Sequence, residues 1–130
     1  MPTLEEILRV AKDAEASDVH ITVGLPPKMR VYGRLLTMDY PRMMPADTLE
    51  LCLEIMSPMQ RERFEERGEY DMSVSMPELG RYRVNVFKQR GSVALSLRVV
   101  GTEIPTSESL GVPASVSDLY NRKRGLVLVT

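Results

Sequence analysis

Apolar and polar positions alternate with two different periods along this chain, and the switches between them mark its elements. Leu4, Ile7, Leu8 and Ala11 recur at helical spacing. Thr3 and Glu6 precede them in the pattern of a capping box, so a helix is predicted from Thr3 to near Glu15 or Ala16. The period then drops to two. Val19, Ile21 and Val23 alternate with Asp18, His20 and Thr22, which is strand spacing. Gly24-Leu25-Pro26-Pro27 turns the chain. Met29-Arg30-Val31-Tyr32 reads as a second short strand, closed by Gly33-Arg34 and resuming at Leu35-Leu36.

After a loop from Pro41 to Pro45, Asp47 and Glu50 predict another capping box, with Leu49, Cys52, Leu53 and Met56 as the apolar stripe of its helix. Ser57-Pro58-Met59-Gln60 opens a third helix with a cap, a proline at the first helical position and a glutamine at the third. Gly68 is placed to end it. Three consecutive antiparallel strands with one buried face are then expected. Tyr70, Met72, Val74 and Met76 carry the first. Tyr82, Val84 and Val86 carry the second, after the turn Pro77-Glu78-Leu79-Gly80. Val93, Leu95, Leu97 and Val99 carry the third, after a loop around Gln89-Arg90-Gly91. Beyond Pro105 the pattern weakens to a loop, a short helix from Ala114 to Tyr120 and the charged connector Asn121-Arg122-Lys123-Arg124-Gly125. Leu126-Val127-Leu128-Val129 is continuously apolar, as in a strand buried on both faces.

Composition narrows the class without supplying chemistry. The chain has 130 residues, 43% hydrophobic and 27% charged, ordinary usage for one globular domain. A chain of this length buries roughly two thirds of its unfolded surface, enough for one core. Its 17 basic and 18 acidic side chains leave a net charge of -1, so no global field draws nucleic acid or an anionic membrane. One cysteine excludes an intramolecular disulfide. One histidine, with no second histidine or cysteine near it, makes no metal set, and none is expected.

The hairpin from Gly80 to Val100 carries the most chemical information. Pairing Tyr82 with Leu97, Val84 with Leu95 and Val86 with Val93 keeps one face apolar, whereas a one-residue slip would mix the faces. This register sets Arg83 opposite Ser96 and Arg81 opposite Arg98. Three guanidinium groups then share the polar face. Two readings stand: a phosphate-facing patch, suited by arginine's planar fork, or a solvated strand face whose arginines pair with nearby carboxylates. Asp18 and His20 share one face of their strand and are read as structural. With Ser17 they do not converge on one reacting atom, so no triad forms. Cys52 and most of the methionines read as core. No glycine-rich phosphate loop occurs.

Taken in order, several segments resemble the N-terminal domain of the type IV pilus retraction ATPases, the PilT family of the secretion-ATPase superfamily. They are Ala16-Ser17-Asp18-Val19-His20, Gly24-Leu25-Pro26-Pro27 with Arg30-Val31 and Gly33, Glu69-Tyr70-Asp71, Arg81 to Phe87, and Arg124 to Thr130. The resemblance implies an α+β fold: a PAS-like antiparallel sheet with helices packed on one face, plus a terminal strand of a RecA-like domain. Residues 1–104 would form the PAS-like domain, 105–125 a linker with a short helix, and 126–130 the first strand of the RecA-like domain, cut just before its phosphate loop. The implied whole protein is a homohexameric motor. It uses ATP and Mg²⁺ to drive pilus retraction and twitching motility, at the cytoplasmic side of the cell membrane with a pilus platform protein as partner. The present chain would then hydrolyse no ATP and hold no nucleotide tightly by itself. Family-matched positions carry a nucleotide-phosphate role onto Arg83 and Arg98 first and onto Arg81 next. A PAS-like sensor module for a small ligand or protein is the alternative, and a plain oligomerisation domain a third reading.

Overall fold

A computed structural model describes the whole chain, Met1–Thr130. Its element order is α1 (Leu4–Asp13), β1 (Asp18–Ile21), β2 (Lys28–Val31), β3 (Arg34–Thr37), α2 (Pro45–Ile55), α3 (Pro58–Arg67), β4 (Glu69–Met76), β5 (Gly80–Gln89), β6 (Ser92–Val100) and a short α4 (Ala114–Ser117) running into a 3-10 turn at Asp118–Asn121. The fold is α+β. One six-stranded sheet runs in the order β3-β2-β1-β6-β5-β4, antiparallel throughout. Two three-stranded meanders thus meet at β1 and β6. The segment carrying α2 and α3 takes the chain from one sheet edge at β3 to the other at β4.

Local chemistry explains the helices. Thr3 accepts from the Glu6 N–H while Glu6 accepts from the Thr3 N–H at 2.8 Å, so the first capping box forms as expected. The same reciprocal bonds join Ser57 and Gln60, and Gly68 ends α3 in the left-handed region at φ 78°. The start of α2 differs. Pro45 occupies its first position, and Asp47 is the third residue, accepting from the Met44 N–H at 2.8 Å, rather than the cap. Its buried stripe is therefore Thr48, Leu51 and Cys52, while the expected Leu49 faces out. The proline preset the first turn three residues earlier than the acidic pair implied.

Leu4, Ile7, Leu8 and Ala11 of α1 join Val19, Ile21, Met72, Tyr82, Val84, Val86, Leu95, Leu97 and the inner faces of α2 and α3 in one cluster of 21 buried residues. Each fully buried Leu or Ile in it contributes about 1.5–3 kcal/mol. The helices cover one face of the sheet, and that leaves the opposite face of the central strands polar.

The β5–β6 hairpin departs from the expected register by two residues. Tyr82 pairs with Val99, Val84 with Leu97 and Val86 with Leu95, and Gln89 faces Ser92. The turn is Arg90-Gly91, with φ of 51° and 78°. Both central residues of such a two-residue turn require positive φ, which favours glycine at the second place. The expected register is compatible with a two- or four-residue loop, and closed by a two-residue turn it would have put Gln89 and Arg90 there and left Gly91 in the strand. Because the shift is even, the apolar face is preserved. The partners of the arginines change.

No residue beyond Leu97 is buried. Leu126, Val127, Leu128 and Val129 form no strand within this chain and are 83%, 56%, 77% and 96% exposed. No helix is long and apolar enough to cross a membrane.

Candidate functional site

Residues opposite one another across a sheet share its face, so the register assigns the polar face directly. Arg30 of β2 pairs with Asp18 of β1, Asp18 with Arg98 of β6, Arg98 with Arg83 of β5, and Arg83 with Ser73 of β4. These form one row across five strands. A second row runs Lys28, His20, Ser96, Asn85, Asp71. Arg81 stands one step along β5, between Val100 and Ser75. Arg83 is therefore opposite Arg98 itself, and Arg81 is diagonal to it. This corrects the expected pairs of Arg83 with Ser96 and Arg81 with Arg98. The three arginines do share a face.

Directly opposed side chains have Cβ atoms about 4.5–5.5 Å apart. Two guanidinium charges at ~5 Å repel by about 0.8 kcal/mol in water, more where solvent is displaced. One neighbour relieves this. Arg98 Nε donates to Asp18 Oδ1 at 3.1 Å, with Asp18 only 14% exposed and Arg98 72%. Asp18 Oδ2 accepts from the Ser17 hydroxyl at 2.8 Å. Burial pushes the Asp18 carboxyl up, but the Ser17 hydroxyl and the Arg98 guanidinium outweigh it and hold it below the ordinary value. Arg81 and Arg83 are exposed and make no ion pair or side-chain hydrogen bond. Their forks are free, as a phosphate contact requires.

The other candidates resolve simply. Ser96 Oγ lies 3.4 Å from His20 Nδ1, so this histidine joins the polar face, and no group of three or more His, Cys, Asp or Glu side chains gathers around it. Asp18 turns to Arg98, not to His20. Cys52 is fully buried with Sγ 3.3 Å from Met56 Sδ. A cleft of about 570 Å³ opens between the end of α1 and the β4–β5 turn, lined by Lys12, Glu15, Leu79, Tyr82, Val99 and Val100 among others. It lies at the rim of the sheet.

Sequence reasoning missed Arg30 and Lys28 as members of the same face and missed the Asp18–Arg98 pair. Strand alternation already placed Asp18 with His20 and pointed to a polar side. No local signal told that β6 would lie against β1, some eighty residues away in sequence, which is what brings the pair together.

An antiparallel sheet covered on one face by helices, with arginines clustered on the other, defines a class of small α+β domains, and comparison with known proteins places the chain within it. No family model matches. Over 124 residues the chain is 39% identical to the type IV pilus ATPase PilU of Pseudomonas aeruginosa, and over 127 residues 35% identical to the retraction ATPase PilT of the same organism. These matches cover 95% and 98% of the chain but 32% and 37% of the relatives, so the chain spans about a third of their length. A crystal structure of the pilus retraction motor PilT with bound ADP superimposes with a TM-score of 0.80 at 41% identity, covering 94% of the chain and 36% of that protein. The ATPase DotB of Legionella pneumophila superimposes at 0.67 and 25%, covering 94% and 35%. The chain belongs to the PilT family of pilus ATPases and has the fold of the N-terminal domain of PilT.

Proposed function

We propose that this chain is the N-terminal domain of a hexameric ATPase motor of the pilus-retraction class, and that its arginine face meets nucleotide phosphate at the cleft between this domain and a RecA-like ATPase domain. Arg83 opposite Arg98 carries the reading. Two like charges side by side on an open face, one of them without any acceptor, are stabilised by an anion between them. The likeness to a motor solved with ADP supports phosphate as that anion. Mg²⁺ and the phosphate-wrapping loop would belong to the RecA-like domain, and this chain's own part is to orient and neutralise phosphoryl charge. In that protein the domain's movement with nucleotide state would couple turnover to pilus retraction and twitching, at the cytoplasmic face of the membrane against a pilus platform protein. A ligand-sensing role receives less support, because the core is filled and the open volumes lie at the surface.

Steady-state ATP turnover by the full-length protein tests this. Arg83→Ala is expected to lower kcat/KM by roughly tenfold or more, as loss of a charge-clamping arginine does, while Arg34→Ala at the β3 edge leaves turnover near wild type. Equal turnover in both variants would remove the nucleotide role.

A further inference from the structure

Of Arg81, Arg83 and Arg98, Arg98 alone is held by a carboxylate, and the manner of holding is specific. Asp18 contacts it through Nε, at 3.1 Å, and the Nη groups make no hydrogen bond. The carboxylate doing so is fixed. Its second oxygen accepts from the Ser17 hydroxyl at 2.8 Å. The backbone of Ser17 is tied on both sides, its N–H donating to Arg30 O at 2.8 Å and its carbonyl accepting from the Val99 N–H at 3.0 Å. Asp18 also has a second arginine beside it in the register, but Arg30 donates Nη1 to Gly33 O at 3.0 Å and turns towards the β2–β3 turn. A nearly buried, rigid carboxylate therefore grips one exposed arginine by the inner nitrogen of its fork. The outer pair is left facing the same side as Arg83.

We propose that Asp18 is a positioning residue for anion recognition: it fixes Arg98 by Nε so that the Nη pair and the Arg83 fork present parallel donors to a phosphoryl group. This rests on the phosphate reading of the arginine face and goes beyond it by assigning a role to a residue that touches no ligand. The chemistry is consistent on both sides of binding. Without ligand, the carboxylate offsets part of the repulsion between Arg98 and Arg83. With ligand, a flexible side chain is already ordered before binding, which removes part of the entropy cost of forming a bidentate contact. A phosphoryl group carrying more than one negative charge is the class that such a pair of forks fits.

A double-mutant cycle in the full-length protein separates positioning from mere structural support. Asp18→Asn keeps the shape and removes the charge. It is expected to raise KM for ATP by about tenfold, the scale of one charge-assisted hydrogen bond, and to have little further effect in an Arg98→Ala background. Asp18→Glu should recover part of the loss. An equal loss in both backgrounds would overturn the proposal, since Asp18 would then act on the domain and not through Arg98. So would an unchanged KM in Asp18→Asn beside a raised KM in Arg98→Ala, and that result would leave the phosphate reading standing. Unchanged nucleotide handling in Arg83→Ala and Arg98→Ala alike would reject the phosphate reading and the positioning role with it. If Asp18→Asn does not fold, Ser17→Ala supplies the same cycle by releasing the carboxylate's other oxygen.

Discussion

Burial acts on Cys52 and Asp18 in the same direction, and their neighbours decide opposite outcomes. Cys52 lies among Leu51, Met56 and other apolar side chains, and burial pushes its thiol up to about 11. It stays protonated and inaccessible at neutral pH, so its sulfur packs and does not react. The expected outcome is that iodoacetamide at pH 7.5 leaves Cys52 unmodified in the folded chain and alkylates it after unfolding in guanidinium. Rapid labelling of the native protein, read by mass spectrometry, would contradict the buried placement. For Asp18 the Ser17 hydroxyl and Arg98 overcome the burial effect. A carboxyl whose folded value is lowered stabilises the fold above its unfolded value and loses that contribution as pH falls through the folded one. The Asp18–Arg98 pair therefore weakens only in acid, below the ordinary carboxylate range, and is intact at neutral pH.

At the scale of elements, the Arg90-Gly91 turn sets which arginines meet. With φ at 51°, Arg90 occupies a conformation that asparagine and glycine tolerate better than a long side chain. Gly91, at 78°, has open space where a Cβ would go, so backbone strain is the cost of substitution there and not a clash. Gly91→Ala should destabilise by about 1–2 kcal/mol and Arg90→Asn should stabilise by about 0.5 kcal/mol, measured by urea unfolding. A neutral Gly91→Ala with a sensitive Gln89→Ala would point to the alternative register, in which Arg83 faces Ser96. The hairpin's two faces were legible from alternation alone, because Val84, Val86, Leu95 and Leu97 repeat with period two. Its register was not. Two pairings differing by two residues bury the same side chains, and only the positive φ demanded at Gly91 distinguishes them. The start of α2 shows the same limit: Pro45 and Asp47 were both visible signals, and the proline prevailed by fixing the first turn.

For the whole molecule, the elements were readable where their causes are local, as at the Thr3–Glu6 and Ser57–Gln60 caps and at Gly68. The sheet order was not, since pairing β1 with β6 closes a loop of most of the domain and leaves no mark in either strand. The arginine cluster was therefore recognisable from Arg81, Arg83 and Arg98, while Arg30 and the Asp18 contact became visible only in three dimensions. The same architecture explains why the face is free. Helices α1, α2 and α3 join one core with the sheet's apolar face, and the polar face is left for another partner, proposed here to be a nucleotide-bearing ATPase domain. The most direct measurement is a structure of the full-length protein with a non-hydrolysable ATP analogue. The account predicts that in at least one subunit an Arg83 or Arg98 fork lies at about 2.7–2.9 Å from a phosphate oxygen. Nucleotide bound in every subunit with both arginines turned to solvent or to carboxylates would contradict it.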